Sequence, residues 1–256
     1  MLGYARIALR VAMFVAVLIP HVALHHLWSW AGRRSPWPRG FLARSAWIVG
    51  ARVERIGTPL AGKAVFVSNH VSWIDILAIA GSSGATFVAN AGIETTRFLG
   101  WLARMNNTVF VAREDRLGVA GQIETVRAAV LRDQPVTLFP EGTTTDGRSL
   151  LPFKAPLLKV LEPPPPGVRV QPILLDYGDR ASEIAWFGAE TGLDNVRRIL
   201  ARRGSFSLRV VYLDPFDPAE LAGRKAINAE ARRRIEEALA DALGRPVEPF
   251  VGHDAP

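Results

Sequence analysis

Two side chains in SNHVSWIDIL, residues 68–77, can move a proton: His70 and Asp75. An imidazole serves as a general base near neutral pH. A carboxylate on its far nitrogen holds the tautomer and stabilises the imidazolium. Five residues apart on one helix, the two would be turned about 140° from each other. Contact therefore requires His70 in a loop and Asp75 in the first helical turn. A plainer reading uses the same letters: Ser72 to Asp75 spells S-x-x-D, a capping box that ties the carboxylate back to the start of its own helix. Spacing alone leaves both readings open. Elimination favours the first. The chain has five histidines, three of them at positions 21, 25 and 26 and one at 253, so His70 is the histidine of the central region. There is no cysteine, no G-x-S-x-G, no P-loop and no G-x-G-x-x-G. If this is an enzyme, His70 is the base and the nucleophile belongs to the substrate.

A second cluster is VTLFPEGTTTDG, where a strand ends and Glu141, Gly142 and Thr143 follow in a sharp turn. Glycine permits close backbone approach, and free amides with threonine hydroxyls can hold an anion or a polyol. An ordinary polar turn reads the same way. In TVFVAR, Arg113 follows a buried strand, where its guanidinium can grip a carboxylate or phosphate with two bonds.

These residues need a scaffold. Short β-branched runs alternate with helical patterns after Gly57, which predicts strands at 64–68, 86–89, 108–111, 136–139, 170–175 and 207–213. Helices are predicted at 73–80, 97–105, 119–132, 157–161, 194–202 and 224–243. Several strands are apolar on both faces. The fold class is therefore α/β, a mostly parallel central sheet with helices on both faces. His70 would then face a cleft at the carboxyl end of a strand, where open α/β sheets place their ligands.

Residues 1–57 read as a separate N-terminal membrane-associating unit, and 58–256 as the α/β domain. From Val11 to Gly32 the chain has no Asp, Glu, Lys or Arg. Pro20, His21, His25 and His26 interrupt this run, and arginines flank both ends, so both ends favour the same side of a bilayer. A re-entrant or interfacial anchor fits better than a crossing. The segment GFLARSAWIVGARVERIG predicts a second, basic amphipathic helix paired with the first. A buried helix pair is the alternative. His21 and His25 have metal-ligand spacing, but no third ligand lies near them.

The formal charge of +7 over 256 residues points to an anionic partner, nucleic acid or a lipid surface. No aromatic-basic RNA motif is present. The charges of AEARRRIEEALADAL form a solvated helix face.

Four blocks in order, N-H-x-S-x-x-D, then G-W-L-A-R with T-V-F-V-x-R, then F-P-E-G-T, then V-Q-P-I-L-L-D-Y, resemble the lysophospholipid acyltransferases of the glycerolipid acyltransferase superfamily. The resemblance runs from about Arg44 to about Leu213. It implies direct transfer of an acyl group from acyl-CoA or acyl-carrier protein, as cosubstrate, to the free hydroxyl of a lyso-lipid. His70 would be the base and Asp75 its orienting partner. Glu141, Gly142 and Thr143 would position the acceptor, and Arg113 would meet its anionic head. No metal or other cofactor and no nucleic-acid partner is expected. The expected place is the cytoplasmic face of the inner membrane. The first expected acceptor is 1-acyl-glycerol-3-phosphate, with lyso-ornithine lipid as the alternative. Thr144, Asn90 and Arg97 depart from the pattern of members that act on the phosphate acceptor. Two other classes compete: a metal-dependent hydrolase using His70, Asp75 and Glu141, and a non-catalytic basic membrane-binding protein.

Overall fold

The structure, a computed structural model, describes residues 2–33, 35–112 and 119–250. Nine strands occur among them: β1 (Ala51–Ile56), β2 (Ala64–Ser68), β3 (Thr86–Asn90), β4 (Val109–Val111), β5 (Val136–Leu138), β6 (Ser149–Leu150), β7 (Arg169–Asp176), β8 (Phe206–Tyr212) and β9 (Glu248–Pro249). The helices are α1 (Leu2–Trp30), α2 (Trp37–Ile48), α3 (Ile74–Ser83), α4 (Ala91–Glu94), α5 (Arg97–Met105), α6 (Val119–Val130), α7 (Ala181–Ile184), α8 (Gly192–Ala201) and α9 (Gly223–Leu243). A 3₁₀ segment covers Ala155–Leu161.

Seven strands form the main sheet in the order β1-β8-β7-β2-β5-β3-β4, and β6 pairs with β9 apart from it. All neighbours in the main sheet run parallel except β7 and β8. Alternation along β2 explains why both faces are covered. Ala64 and Phe66 enter one core, with α3 and α8, while Val65 and Val67 enter the other, with α6, the 3₁₀ segment and α9. A strand buried on both faces must be apolar throughout, and every residue of β2 is buried. On the second face, α9 presents Ile227, Ala231, Ile235 and Leu239, one residue every fourth position, as a fully buried stripe.

The N-terminal region differs from expectation in two ways. The predicted second helix stops at Ile48. Gly50 adopts φ +100°, and β1 begins at Ala51 and pairs with β8. ARVERI carries charges because β1 is an edge strand with mostly exposed residues, which mimics a basic helix in sequence. The break expected after residue 57 therefore falls beyond the first strand of the sheet. The two N-terminal helices also have different attachments. α1 alone among the described helices is long and apolar enough to cross a membrane. α2 is built into the body, with Ser45, Ala46 and Ile48 buried. It crosses α3 so closely that a Cβ on Gly81 would stand 2.8 Å from the Ala43 backbone. His21 is the buried residue of α1: its ring meets Trp37 and Phe41 of α2, and its Nδ1 bonds the Val17 carbonyl at 2.7 Å.

Candidate active site

Strands β7, β2 and β5 lie side by side and run in the same direction. Their carboxyl ends therefore open at one edge, the place where this class of sheet binds ligands. Each contributes to a single cluster: His70 and Asp75 follow β2, Phe139 and Glu141 follow β5, and Tyr177 follows β7.

His70 sits in the loop and Asp75 in the first turn of α3. His70 Nδ1 lies 2.8 Å from Asp75 Oδ2. The same oxygen accepts the backbone N–H groups of Val71 at 2.7 Å and Ser72 at 3.0 Å. Both sequence readings are thus present on one oxygen, although only half of the capping box forms: the Asp75 amide donates to the Ser72 carbonyl, not to its hydroxyl. The other carboxylate oxygen, Oδ1, accepts the Tyr177 hydroxyl at 2.5 Å. Asp75 is fully buried, and these donors replace the water it has lost. Burial, followed by the charge and hydrogen bond of Asp75, holds the Tyr177 phenol well above its ordinary pKa, so it remains a donor.

The imidazole is fixed in plane and position. Phe139 stacks on it with centroids 4.1 Å apart and 19° between the rings, and Phe87 stacks on Phe139 in turn. The His70 backbone is held at both ends: its N–H donates to Glu141 Oε1 at 2.9 Å, and its carbonyl accepts the Thr145 N–H at 2.9 Å. Just before it, Asn69 continues the sheet by bonding the N–H and the carbonyl of Leu175 on β7. His70 Nε2 has no hydrogen-bond partner among the described residues, and the side chain is 19% exposed. That nitrogen is free to meet a hydroxyl.

Glu141 is placed at the site but not in the cleft. It is fully buried, and its second oxygen accepts the Leu151 N–H at 3.0 Å. Burial pushes its pKa up to about 8, and Asp75 adds to the rise, against the pull of the two amides and Arg232. Its contact is with the loop that carries His70. Gly142 adopts φ +78°, and a Cβ there would come within 2.9 Å of Lys154 Nζ, so this glycine lets the lysine lie across the turn. Thr143 is half-buried, and its hydroxyl has no partner among the described residues. Thr144 donates its hydroxyl to the Trp186 carbonyl. Arg113 lies outside the described residues.

A metal-ligand set of His70, Asp75 and Glu141 does not fit this geometry, because all four carboxylate oxygens already accept protein donors. Among the described residues no group of three or more His, Asp or Glu side chains converges. Sequence reasoning missed Tyr177 and Phe139 as parts of the cluster. Their signal was positional: each follows a central strand that neighbours β2.

With the geometry in place, comparison with known proteins is informative. The Acyltransferase family model matches residues 51–176, from the first residue of β1 to the last of β7. The chain is 29% identical over 273 residues to the lyso-ornithine lipid O-acyltransferase of Rhizobium meliloti, covering 100% of this chain and 94% of that protein. It is 30% identical over 207 residues to the 1-acyl-sn-glycerol-3-phosphate acyltransferase of Neisseria meningitidis, covering 79% of each. The crystal structure of the 1-acyl-sn-glycerophosphate acyltransferase of Thermotoga maritima superposes with a TM-score of 0.61 at 19% identity, covering 82% of this chain and 80% of that one. That likeness establishes the shared fold.

Proposed function

The chain belongs to the acyltransferase family and is a lyso-lipid O-acyltransferase, and we propose that its acceptor is lyso-ornithine lipid and its donor an acyl thioester of carrier protein or coenzyme A. The observation that carries the chemistry is the His70–Asp75 pair with Nε2 open at the sheet edge. His70 Nε2 takes the proton of the acceptor hydroxyl as its oxygen attacks the thioester carbonyl. The tetrahedral intermediate collapses, the carbon–sulfur bond breaks, and the imidazolium returns the proton to the departing thiolate. An ester and a free thiol result, and the protein is unchanged. Asp75 holds the tautomer and balances the charge that His70 carries meanwhile. Glu141 acts through the His70 backbone, and Gly142 and Thr143 line the acceptor's approach. The scheme calls for no metal.

The choice of acceptor rests on two supports. The relative that spans the whole chain is named for lyso-ornithine lipid. The turn after Glu141 offers a threonine, its hydroxyl already engaged, where a dianionic phosphate would favour a cation. The second reading is 1-acyl-glycerol-3-phosphate, favoured by the Neisseria relative. We further place the enzyme on the cytoplasmic face of the membrane, since arginines flank both ends of the uncharged run from Val11 to Gly32, Arg6 and Arg10 before it and Arg33 after it. The test is purified protein, a labelled acyl thioester and lyso-lipids with ornithine, phosphate and choline heads, with His70→Ala as control. Preferential labelling of the ornithine lipid is expected. Preferential labelling of the phosphate lipid overturns the choice of acceptor, and labelling by His70→Ala overturns the mechanism.

A further inference from the structure

A cleft of about 230 Å³ lies where the first turns of α1 meet the start of β1 and the end of α8. Four guanidinium-bearing residues line it: Arg6 and Arg10 from α1, Arg52 from β1, and Arg202 just after α8. Leu9 and Trp47 line it as well. None of these residues takes part in the acyl-transfer chemistry derived above.

The arginines are held in place but not neutralised. Arg6 Nε donates to the Ala201 carbonyl at 2.7 Å. Arg10 donates to the Ile199 and Leu200 carbonyls at 2.6 and 3.1 Å. These are the last carbonyls of α8, and a helix end carries only about half a negative charge. Arg52 donates to the Trp47 carbonyl at 3.2 Å, with its guanidinium 5.0 Å from that indole ring. Arg202 is the member of the group with a carboxylate, Glu183, at 2.7 Å. Among the described residues, Arg6, Arg10 and Arg52 have no ion pair. Several cations crowded round one cleft repel each other, and an anion between them removes that cost. Arginine forks match phosphate oxygens in pairs.

The surroundings narrow the source of the anion. Leu9 is 61% exposed and Trp47 53% exposed at the rim. Leu9 belongs to α1, whose apolar window has a mean hydropathy of 2.2 and is 6% buried, and Trp47, near the end of α2, lines the same cleft. An exposed tryptophan beside an apolar helix suits the headgroup level of a bilayer. The cleft also lies at the edge of the sheet that carries His70. β8 runs against β7, so Ala51 and Phe206, paired at the start of β1 and β8, lie where β2 and β7 finish. Arg202 stands 5.2 Å over the Phe206 ring, which stacks 6.0 Å from Tyr177, the donor to Asp75.

We propose that this cleft binds the phosphate of an anionic membrane phospholipid and so seats the sheet edge bearing His70 against the lipid surface. The site is separate from acyl transfer and independent of which acceptor is used.

The test is vesicle co-sedimentation of the full chain with phosphatidylcholine alone and with phosphatidylglycerol added. A basic residue at an anionic surface contributes about a fivefold change in partitioning. Arg52→Gln is expected to weaken binding to phosphatidylglycerol vesicles about fivefold, and Arg6→Gln/Arg10→Gln/Arg52→Gln roughly a hundredfold. Binding to phosphatidylcholine should be unchanged. Arg197→Gln, an exposed arginine on α8 away from the cleft, serves as control. Because Arg6 and Arg10 also cap α8, Arg52→Gln and Arg52→Lys are compared by thermal unfolding, and Arg52→Gln alone decides the matter if the triple variant unfolds. A loss for Arg52→Gln no larger than for Arg197→Gln overturns the proposal. The second arm is inorganic phosphate, the soluble source of the same group. If it raises the unfolding temperature of the protein in detergent while phosphatidylglycerol leaves sedimentation unchanged, the site belongs to a free anion and the lipid assignment fails.

Discussion

Tyr177→Phe tests the second contact of Asp75 with little else disturbed. The ring stays against Phe206, and one oxygen is lost. In the wild-type protein that oxygen donates to Asp75 Oδ1 at 2.5 Å, between two groups that are both buried. After the change, Oδ1 has no donor among the described residues, while Oδ2 keeps His70, Val71 and Ser72. A hydrogen bond to a charged group contributes about 1.5–3 kcal/mol. The carboxylate is needed most when His70 carries the proton, so the loss falls on the transition state. At about 1.4 kcal/mol per tenfold in rate, kcat should drop roughly ten- to a hundredfold. KM should stay near the wild-type value, because Tyr177 is buried beneath the cleft. The same lost bond should lower the unfolding temperature by several degrees. The assay is initial-rate acyl transfer at varied acceptor concentration, with thermal unfolding in parallel. A kcat within about twofold of wild type, together with a lower unfolding temperature, would show that Tyr177 only fills space and would refute the reasoning.

Three further outcomes are expected. His70→Ala should cost at least about a hundredfold in rate with little change in stability, whereas Asp75→Ala should also destabilise by about 3–5 kcal/mol, because buried donors lose their acceptor; equal unfolding temperatures would contradict this. Glu141 has its folded pKa raised from 4.5 to about 8. The native state therefore holds a proton that the unfolded chain releases, so this residue's contribution is fully present below about pH 4.5 and is lost as pH rises towards 8. Glu141→Gln should flatten that decline in a pH series of urea melts, while setting a side-chain donor against a backbone donor at a cost of about 1–3 kcal/mol; an unchanged slope would refute it. Val15→Asp/Ile19→Asp alters the exposed face of α1, where each charge opposes burial in lipid by up to about 3 kcal/mol. Fractionation should move the variant from membranes to the supernatant with its unfolding temperature kept, and a variant still on the membrane would place the anchor elsewhere.

The amino-acid sequence by itself determined the strands that are apolar on both faces and the helices with a clear period. β2 begins and ends where its β-branched run does, and α5 spans the predicted 97–105, because local pattern and tertiary burial demand the same residues there. For His70 and Asp75 it specified the loop-then-turn geometry that could join them but left a plain capping box equally open, and the 2.8 Å contact is what the structure adds. It misread 49–57, where an exposed edge strand carries charges that a helix would also carry, and only the pairing with β8 decides between them. The tertiary structure alone decided what surrounds the pair. Tyr177 is 102 positions from Asp75 and Glu141 is 71 from His70. No periodicity links residues so distant. They meet because β7, β2 and β5 are neighbours in the sheet, and strand order is set by long-range packing rather than by any stretch of sequence. The arginine cleft has the same origin. Positions 6 and 10 share one face of α1, but 52 and 202 are far from them in the chain, and all four converge because β8 reverses direction against β7 and brings its first residues, with α1 beside them, to the edge where His70 stands.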